Sequence, residues 1–586
     1  MHSWKKVLLR LFPFAAWLPE LKSPQTLRGD IVAGTTIALI LVPQSMAYAQ
    51  LAGLPPYYGL YAAFLPPIVA AFFGSSRQLA TGPTAIASLM TVAAVAPLAT
   101  TGTGAYIAYC VILSVMVGVF RLAFGFLRMG AVMNFLSRPV VQGFTNAAAL
   151  IIATSQLAPL FGVSAAKSPY HFVAVYRTLA SVVKGLDLTT IGLAAIALGT
   201  IVLTNRLRLR SPSILIAVVV TTVVSWLAGY RGAVVGQIPL GLPAFGLPLR
   251  DVPGVWQLLP SALAISIMGL TEATAIARTI AIRTRQKLNL NQEFIGQGLA
   301  NVVGGLSQSL PVSGSFSRSA VALATNGKTG FTSLVSSALV LLVLLFLAPL
   351  LGPLPKATLA IVVVYAVARL IKVKPIVRAW RTSPYEGIAA VLTFVVTLGF
   401  APHVEYGVFF GVLLSIIFRL RQTLRPRVAI LSRHPDGSLR DGKTHGLGTC
   451  PTISVIRIEG SMYFANADYL AEKVLEHIEI KPQLRHVVID AEGINMIDAT
   501  GAERIEELVN HLSDSKIELW LSRVKHPLRE TLQCSGLLNM IGEEHIFGRT
   551  EHALQAIWAK DPCSCDMDCP YVLSTPEENG GPTRVD

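Results

Sequence analysis

Ser313-Gly314-Ser315-Phe316-Ser317-Arg318 and Thr81-Gly82-Pro83-Thr84 each open a short apolar segment with small, hydroxylated residues. They occupy matching places. Thr81 lies 51 residues beyond Asp30, and Ser313 lies 56 beyond Gln257, near the starts of two apolar halves. Short interrupted segments at corresponding positions point to an inverted repeat whose broken helices meet near the membrane midplane. Such a meeting is suited to anions. The first N–H groups of a helix have no partner within it, and its N-terminus carries about half a positive charge. Two termini facing one another hold an anion without a metal. Gly82, Gly314, Ser315 and Ser317 permit close approach and add hydroxyl donors, and Arg318 adds a full charge. Gly-Ser clusters are also common where membrane helices pack. The paired placement and the arginine favour a site.

Composition supplies the membrane this reading needs. Of 586 residues, 53% are hydrophobic and 14% charged, against roughly 45–50% and about 25% in soluble domains. Between Ile31 and Arg425 only Asp187, Asp251, Glu272, Glu293, Glu386 and Glu405 are acidic, and most other carboxylates follow. A long apolar region therefore precedes a shorter soluble one. The net charge of +15 does not indicate nucleic acid, because the bases cluster beside apolar runs, as in cytoplasmic loops.

Runs of about 20 apolar residues with Gly/Pro punctuation give about 14 spans. They begin near Ile31, Tyr57, Thr81, Gly104, Pro139, Leu188, Ser213, Leu258, Glu293, Ser315, Phe331, Ala357, Tyr385 and Val404, the third and tenth being short. With Lys5, Lys6, Lys22 and Arg28 in the cytoplasm, the inner ends collect the basic clusters. These are Arg77, then Arg121, Arg128 and Arg138, then Arg206, Arg208 and Arg210, then Arg278, Arg283, Arg285 and Lys287. Lys372, Lys374, Arg378 and Arg381 follow, then Arg419, Arg421, Arg425 and Arg427. Both termini are thus expected in the cytoplasm of a multi-pass protein of the cell membrane, a bacterial inner membrane. No cleavable signal is evident, since Lys5, Lys6 and Arg10 lead into a Pro-interrupted stretch. The outer connection at 161–185, with Lys167, Arg177 and Lys184, reads as an amphipathic surface helix.

Ionisable groups inside an apolar run are costly and mark function. Glu272, midway along residues 258–282, is the acidic residue so placed, suited to bind a proton, neutralise Arg318 or coordinate a cation. Glu293, Glu386 and Glu405 fall near segment ends and read as interfacial.

At this point Pro56-Tyr57-Tyr58-Gly59-Leu60-Tyr61-Ala62-Ala63, Gly74-Ser75-Ser76-Arg77, Leu299-Ala300-Asn301-Val302-Val303-Gly304-Gly305 and residues 311–319 resemble the SulP family of sulfate permeases and related anion exchangers. The likeness covers nearly the whole chain, with Ala70 departing from the family signature. It implies a polytopic α-helical membrane protein built as a 7+7 inverted repeat with core and gate domains, usually a homodimer. Carried over by motif, Gln44 and Tyr48 line the anion site with Thr84, Ser315, Phe316, Ser317 and Arg318. Glu272 matches an acidic position that relatives associate with coupling to protons or to a cation such as sodium. The family moves sulfate, bicarbonate, chloride or dicarboxylates. Sulfate transport by alternating access is the first expectation, with exchange, an anion channel or a nucleobase permease as alternatives on the same architecture.

From about Pro451 strands and helices alternate: 453–458, 486–490 and 517–521 as strands, and 467–478, 501–512 and 527–536 as helices. This implies a small sheet flanked by helices, and it resembles the STAS domain of SulP relatives. Thr500, in Asp498-Ala499-Thr500-Gly501, takes the place of a phosphorylatable hydroxyl, although Ala499 replaces a neighbouring one; Thr500 or Asp498 equally suits a helix N-cap. A membrane-tethered enzyme or sensor is the reading from another class. It is disfavoured because the soluble part has no phosphate-binding Gly-rich loop and no paired metal ligands, and Cys534 sits late in a helix. No cofactor is expected. Cys563, Cys565 and Cys569 fall short of a closed four-thiolate zinc site. The expected domains are a cytoplasmic segment (1–29), the transmembrane domain (30–425), a linker (426–450), the STAS domain (451–560) and a disordered Cys-containing tail (561–586).

Overall fold

The computed structural model describes residues 12–130, 137–164, 168, 170–207, 213–239, 241–248, 252–561 and 569–571. Lys5, Lys6, Arg10, Lys167, Arg208, Arg210, Asp251, Cys563 and Cys565 lie outside the described residues. The chain divides into two compact units, Met1–Ile416 and Ile417–Asp586.

In the first unit every expected span is a helix. The first half contains α1 (Pro24–Leu51), α2 (Tyr57–Phe73), α3 (Ala85–Val95), α4 (Gly104–Phe126) and α5 (Arg138–Ser155). The surface helix α6 (His171–Lys184), α7 (Leu188–Arg206) and α8 (Ser213–Leu227) follow. The second half contains α9 (Leu259–Thr284), α10 (Leu290–Leu306), α11 (Phe316–Ala324), α12 (Phe331–Leu342) and α13 (Lys356–Ala368), then α14 (Lys374–Thr382), α15 (Pro384–Gly399) and α16 (Glu405–Leu424). Among the described residues, seven helical stretches are long and apolar enough to cross a membrane, and five more are shorter apolar helices. This is a polytopic helical membrane protein.

Glycines bring its backbones together, as expected where lipid gives helices no hydrophobic drive to associate. A Cβ on Gly59 of α2 would stand 1.9 Å from the Ser45 carbonyl oxygen of α1. On Gly118 of α4 it would stand 2.6 Å from Val302 N, and on Gly298 of α10 it would stand 2.8 Å from Leu122 N. Helices α4 and α10 therefore touch main chain to main chain, and α10 forms a fixed wall behind the two interrupted segments.

The interruptions are short strands, β1 (Thr81–Gly82) and β2 (Ser313–Gly314), paired antiparallel with Thr81 opposite Gly314 and Gly82 opposite Ser313. Each leads directly into a half-length helix, α3 or α11.

The second unit is a six-stranded sheet in the order β4-β3-β5-β6-β7-β8. Its strands are β3 (Arg427–Arg433), β4 (Leu439–Asp441), β5 (Ile453–Glu459), β6 (His486–Asp490), β7 (Glu518–Ser522) and β8 (Ile546–Phe547). Strands β5 to β8 run parallel, and β3 pairs antiparallel with both β4 and β5. Helices α17 (Ala467–Glu479), α18 (Ala499–Asp514), α19 (His526–Cys534) and α20 (Thr550–Lys560) pack on it. The expected linker at 426–450 is thus corrected: it supplies two strands. Their short apolar run, Val428 to Leu431, is flanked by arginines and reads as loop until its pairing with β5 is seen. The tail is corrected in part. Tyr571 is buried and its hydroxyl donates to Leu431 O at 2.6 Å, while Asp561 pairs with Arg485.

His477 of α17 gives the soluble unit an acid limit. Its Nε2 lies 2.7 Å from Ser454 Oγ, and burial together with the nearby Lys481 cation hold the imidazole down at about 4. The unfolded chain, with an ordinary histidine near 6.5, takes up the proton first as pH falls. Stability present above about pH 6.5 is therefore lost as pH drops toward 4. Replacing His477 with Gln should flatten that loss, measured as the shift in urea midpoint of the soluble unit between pH 7 and pH 5. An unchanged shift would remove His477 from the account.

Candidate anion site

The antiparallel register of β1 and β2 sends α3 and α11 away in opposite directions from one joint, so their N-termini face each other across it. Crossed hydrogen bonds fix the joint. Ser315 N donates to Ala80 O at 2.9 Å, and Ala80 N donates to Ser319 Oγ at 2.9 Å. Thr84 caps α3, its hydroxyl accepting from Ala87 N at 3.4 Å.

Arg318 closes the joint from α11. It is 1% exposed, and its Nη1 donates to Pro83 O at 3.1 Å and to Gln44 Oε1 at 3.4 Å. Its Nε and Nη2 are buried without a hydrogen-bond partner among the described residues. An unsatisfied buried donor of this kind is costly. A Cβ on Gly82 would stand 3.1 Å from Nη2, so glycine there lets the guanidinium lie against β1.

The residues expected at the site are largely brought together. Gln44 Nε2 donates to Tyr48 Oη at 2.9 Å, so α1 presents both on the side where Gln44 meets Arg318. Ser315 and Ser317 hydroxyls lie 3.4 Å apart at the start of α11. Ser315 is buried, whereas Phe316 and Ser317 are exposed, leaving that side open. Glu272 on α9 is placed differently. It touches neither Gln44 nor Arg318 and has no ion-pair partner within 4 Å among the described residues, but its charge acts on Arg318, Arg121 and Tyr48. Thr500 belongs to the soluble unit, in the first turn of α18. There Asp498 is the cap, accepting from Gly501 N at 2.8 Å.

Four ionisable groups of the first unit that the sequence places at helix ends or does not single out are buried: Arg121, Glu293, Asp30 and Glu405, the last 7% exposed with Oε1 3.1 Å from His403 Nδ1. Arg121, counted with a basic cluster at an inner helix end, is fully buried; Nη1 donates to Val312 O at 2.6 Å. Glu293, read as interfacial, is 2% exposed, and its Oε2 accepts from Ser75 N and Ser76 N at 2.9 and 2.8 Å. Its other oxygen meets Gln297, which in turn donates to Thr81 Oγ1 at 2.7 Å, so the acid braces β1 from behind. Asp30 is likewise buried, gathering Lys328 N, Thr329 N and the Thr329 and Thr332 hydroxyls. For Arg121 the signal was present: an arginine with apolar residues on both sides.

Residues 27–393 match the Sulfate permease family, and residues 448–553 match the STAS domain. "Sulfate transporter 4.1, chloroplastic" of Arabidopsis thaliana is 32% identical over 572 residues, covering 93% of this chain and 82% of that protein. Among solved structures, murine Solute Carrier 26 family member A9, an anion transporter, superposes with a TM-score of 0.85 at 24% identity over 95% of each chain, a likeness of fold. The transmembrane domain of a cyanobacterium bicarbonate transporter, BicA, superposes with a TM-score of 0.59 at 25% identity, over 66% of this chain and 98% of that one.

Asn301 of α10 holds the approach to β2. Its Oδ1 accepts from Val312 N at 2.9 Å, and its Nδ2 donates to Val312 O at 3.0 Å. Replacing Asn301 with Leu strands the buried Val312 N–H and leaves Val312 O to Arg121 alone, at a cost of about 1–3 kcal/mol. The expected result is a clear fall in the thermal midpoint of the detergent-solubilised protein. No change would mean that β2 is held by other means.

Proposed function

The chain belongs to the sulfate permease family, and we propose that it is a secondary active transporter of small inorganic anions, sulfate first among them. The observation that carries this reading is Arg318, buried at the facing N-termini of α3 and α11, with Nε and Nη2 unpaired among the described residues. A tetrahedral oxyanion has the complementary need. It must exchange its water shell for fixed donors, and helix-terminal amides with a guanidinium provide them at little reorganisation cost. Gln44 and Tyr48 orient the guanidinium from α1, while Thr84, Ser315 and Ser317 offer hydroxyls around it. Phe316 borders the open side. Sulfate is favoured because the relatives are named for it.

Transport follows if the helices carrying the site rock against the rest of the unit, exposing the anion to one side and then the other. Glu272 is the coupling residue in this reading. A carboxylate that shares a low-dielectric region with an arriving dianion is repelled by it, so anion entry favours the protonated acid and each anion brings a proton. Sodium is the alternative coupling ion. The protein works as a homodimer in a bacterial inner membrane, with both termini cytoplasmic. Thr500, one residue after Ala499 in the first turn of α18, is the candidate regulatory hydroxyl, because a phosphate there would sit at a helix N-terminus.

Two variants test this in proteoliposomes with radiolabelled sulfate. Arg318→Gln removes charge-assisted hydrogen bonds at a buried site and should lower uptake by about 100-fold or more; near-normal uptake would contradict the proposed site. Glu272→Gln should retain sulfate–sulfate exchange but lose accumulation driven by an inward proton gradient. Gradient-driven accumulation equal to that of the unmodified protein would remove the coupling role.

A further inference from the structure

Arg121 has no part in the reading above, yet with Arg318 it is among the largest fully buried side chains of the described residues. It projects from α4 to the back of the joint. Nη1 donates to the carbonyl of Val312, the residue immediately before β2, and Nη2 lies 3.4 Å from Ile265 O of α9. Nε is buried without a partner among the described residues. Space is made for it by Gly269, where a Cβ would stand 2.1 Å from Nη2. Two carbonyls satisfy part of the guanidinium's hydrogen bonding but supply no net negative charge, and an uncompensated cation in such a place is expensive.

The groups packed around it narrow the compensation to one residue. Helix α10 presents Asn301, which shares Val312 O with it, and β2 presents the Ser313 hydroxyl at Gly269, both neutral. The carboxylate that acts on Arg121 is Glu272 of α9, and the same carboxylate acts on Arg318. One acid is therefore shared by two guanidiniums, leaving a net charge of +1 from Arg121, Arg318 and ionised Glu272 (1 + 1 − 1). Protonating Glu272 raises this to +2, the charge that a dianion neutralises.

We infer that Arg121 is the second fixed cation of the anion site, acting through its field rather than by contact, and that it sets the preference for divalent over monovalent oxyanions. The inference rests on the proposal that Arg318 and the facing helix ends bind the anion. Arg121 is a specificity-determining residue in this scheme, because a unit charge held in a low-dielectric surround acts on a dianion twice as strongly as on a monoanion.

The test compares binding of sulfate and of nitrate to the full-length protein in nanodiscs by isothermal titration calorimetry. Arg121→Gln keeps a donor for Val312 O but loses the charge; it should weaken nitrate by about tenfold and sulfate by about a hundredfold, so that the sulfate-over-nitrate preference falls by about tenfold. Arg121→Lys keeps the charge and loses the double carbonyl bridge; it should preserve the preference. If Arg121→Gln weakens both anions in proportion, or if Arg121→Lys loses the preference as fully as Gln does, Arg121 is only a clamp and the inference fails. Should the Gln variant not fold, the Lys variant still decides: a lost preference overturns the inference and a retained one supports it. Failure of the underlying proposal looks different, since Arg318→Gln would then bind both anions as the unmodified protein does.

Discussion

Two residues paired with two residues hold this transporter's central feature. The ladder of Thr81–Gly82 with Ser313–Gly314 joins segments far apart in sequence and turns two half-helices nose to nose. In hydrocarbon every backbone polar group must find a partner within the protein, so non-helical backbone is tolerated there only where protein or a cavity surrounds it. The ladder meets that condition while leaving the first amides of α3 and α11 directed at one place. Much else in the first unit serves to keep it there.

The supports are polar and buried, and they form continuous chains. Glu293 gathers the Ser75 and Ser76 amides and reaches Thr81 through Gln297. Asn301 grips both backbone groups of Val312, while Arg121 takes the same carbonyl from the other side. Glycines make this crowding possible, at Gly298 for the α4–α10 contact, Gly269 for Arg121 and Gly82 for Arg318. Charge is balanced sparingly, with Glu272 answering two arginines without touching either.

How much of this was legible in the sequence depends on the periodicity of each feature. Apolar length is imposed by lipid, so the spans from α1 to α16 could be placed from runs and punctuation alone. The joint of the two interrupted segments was legible because Thr81–Thr84 and Ser313–Arg318 break those runs at equivalent places, and the arginine in one of them made it a candidate anion site. The supports were not. Arg121 stands close to Arg128 and Arg138, so the excess of basic residues at helix ends absorbed a residue that in fact points inward. Glu293 sits near a helix start, where a carboxylate is ordinary, and only the fold brings the Ser75 and Ser76 amides to it. In the soluble unit the parallel strands β5 to β7 announced themselves as apolar runs. Strand β3 is edged by arginines and emerges only through pairing with β5.

The most direct test of the central claim is to locate the anion itself. Selenate replaces sulfate with a heavier atom of the same charge and geometry, and its anomalous scattering in crystals of the transporter marks one position. That peak is expected between the N-termini of α3 and α11, within hydrogen-bonding reach of Arg318 Nε or Nη2. A well-occupied selenate elsewhere in the membrane unit, with the joint of β1 and β2 unoccupied, would contradict it.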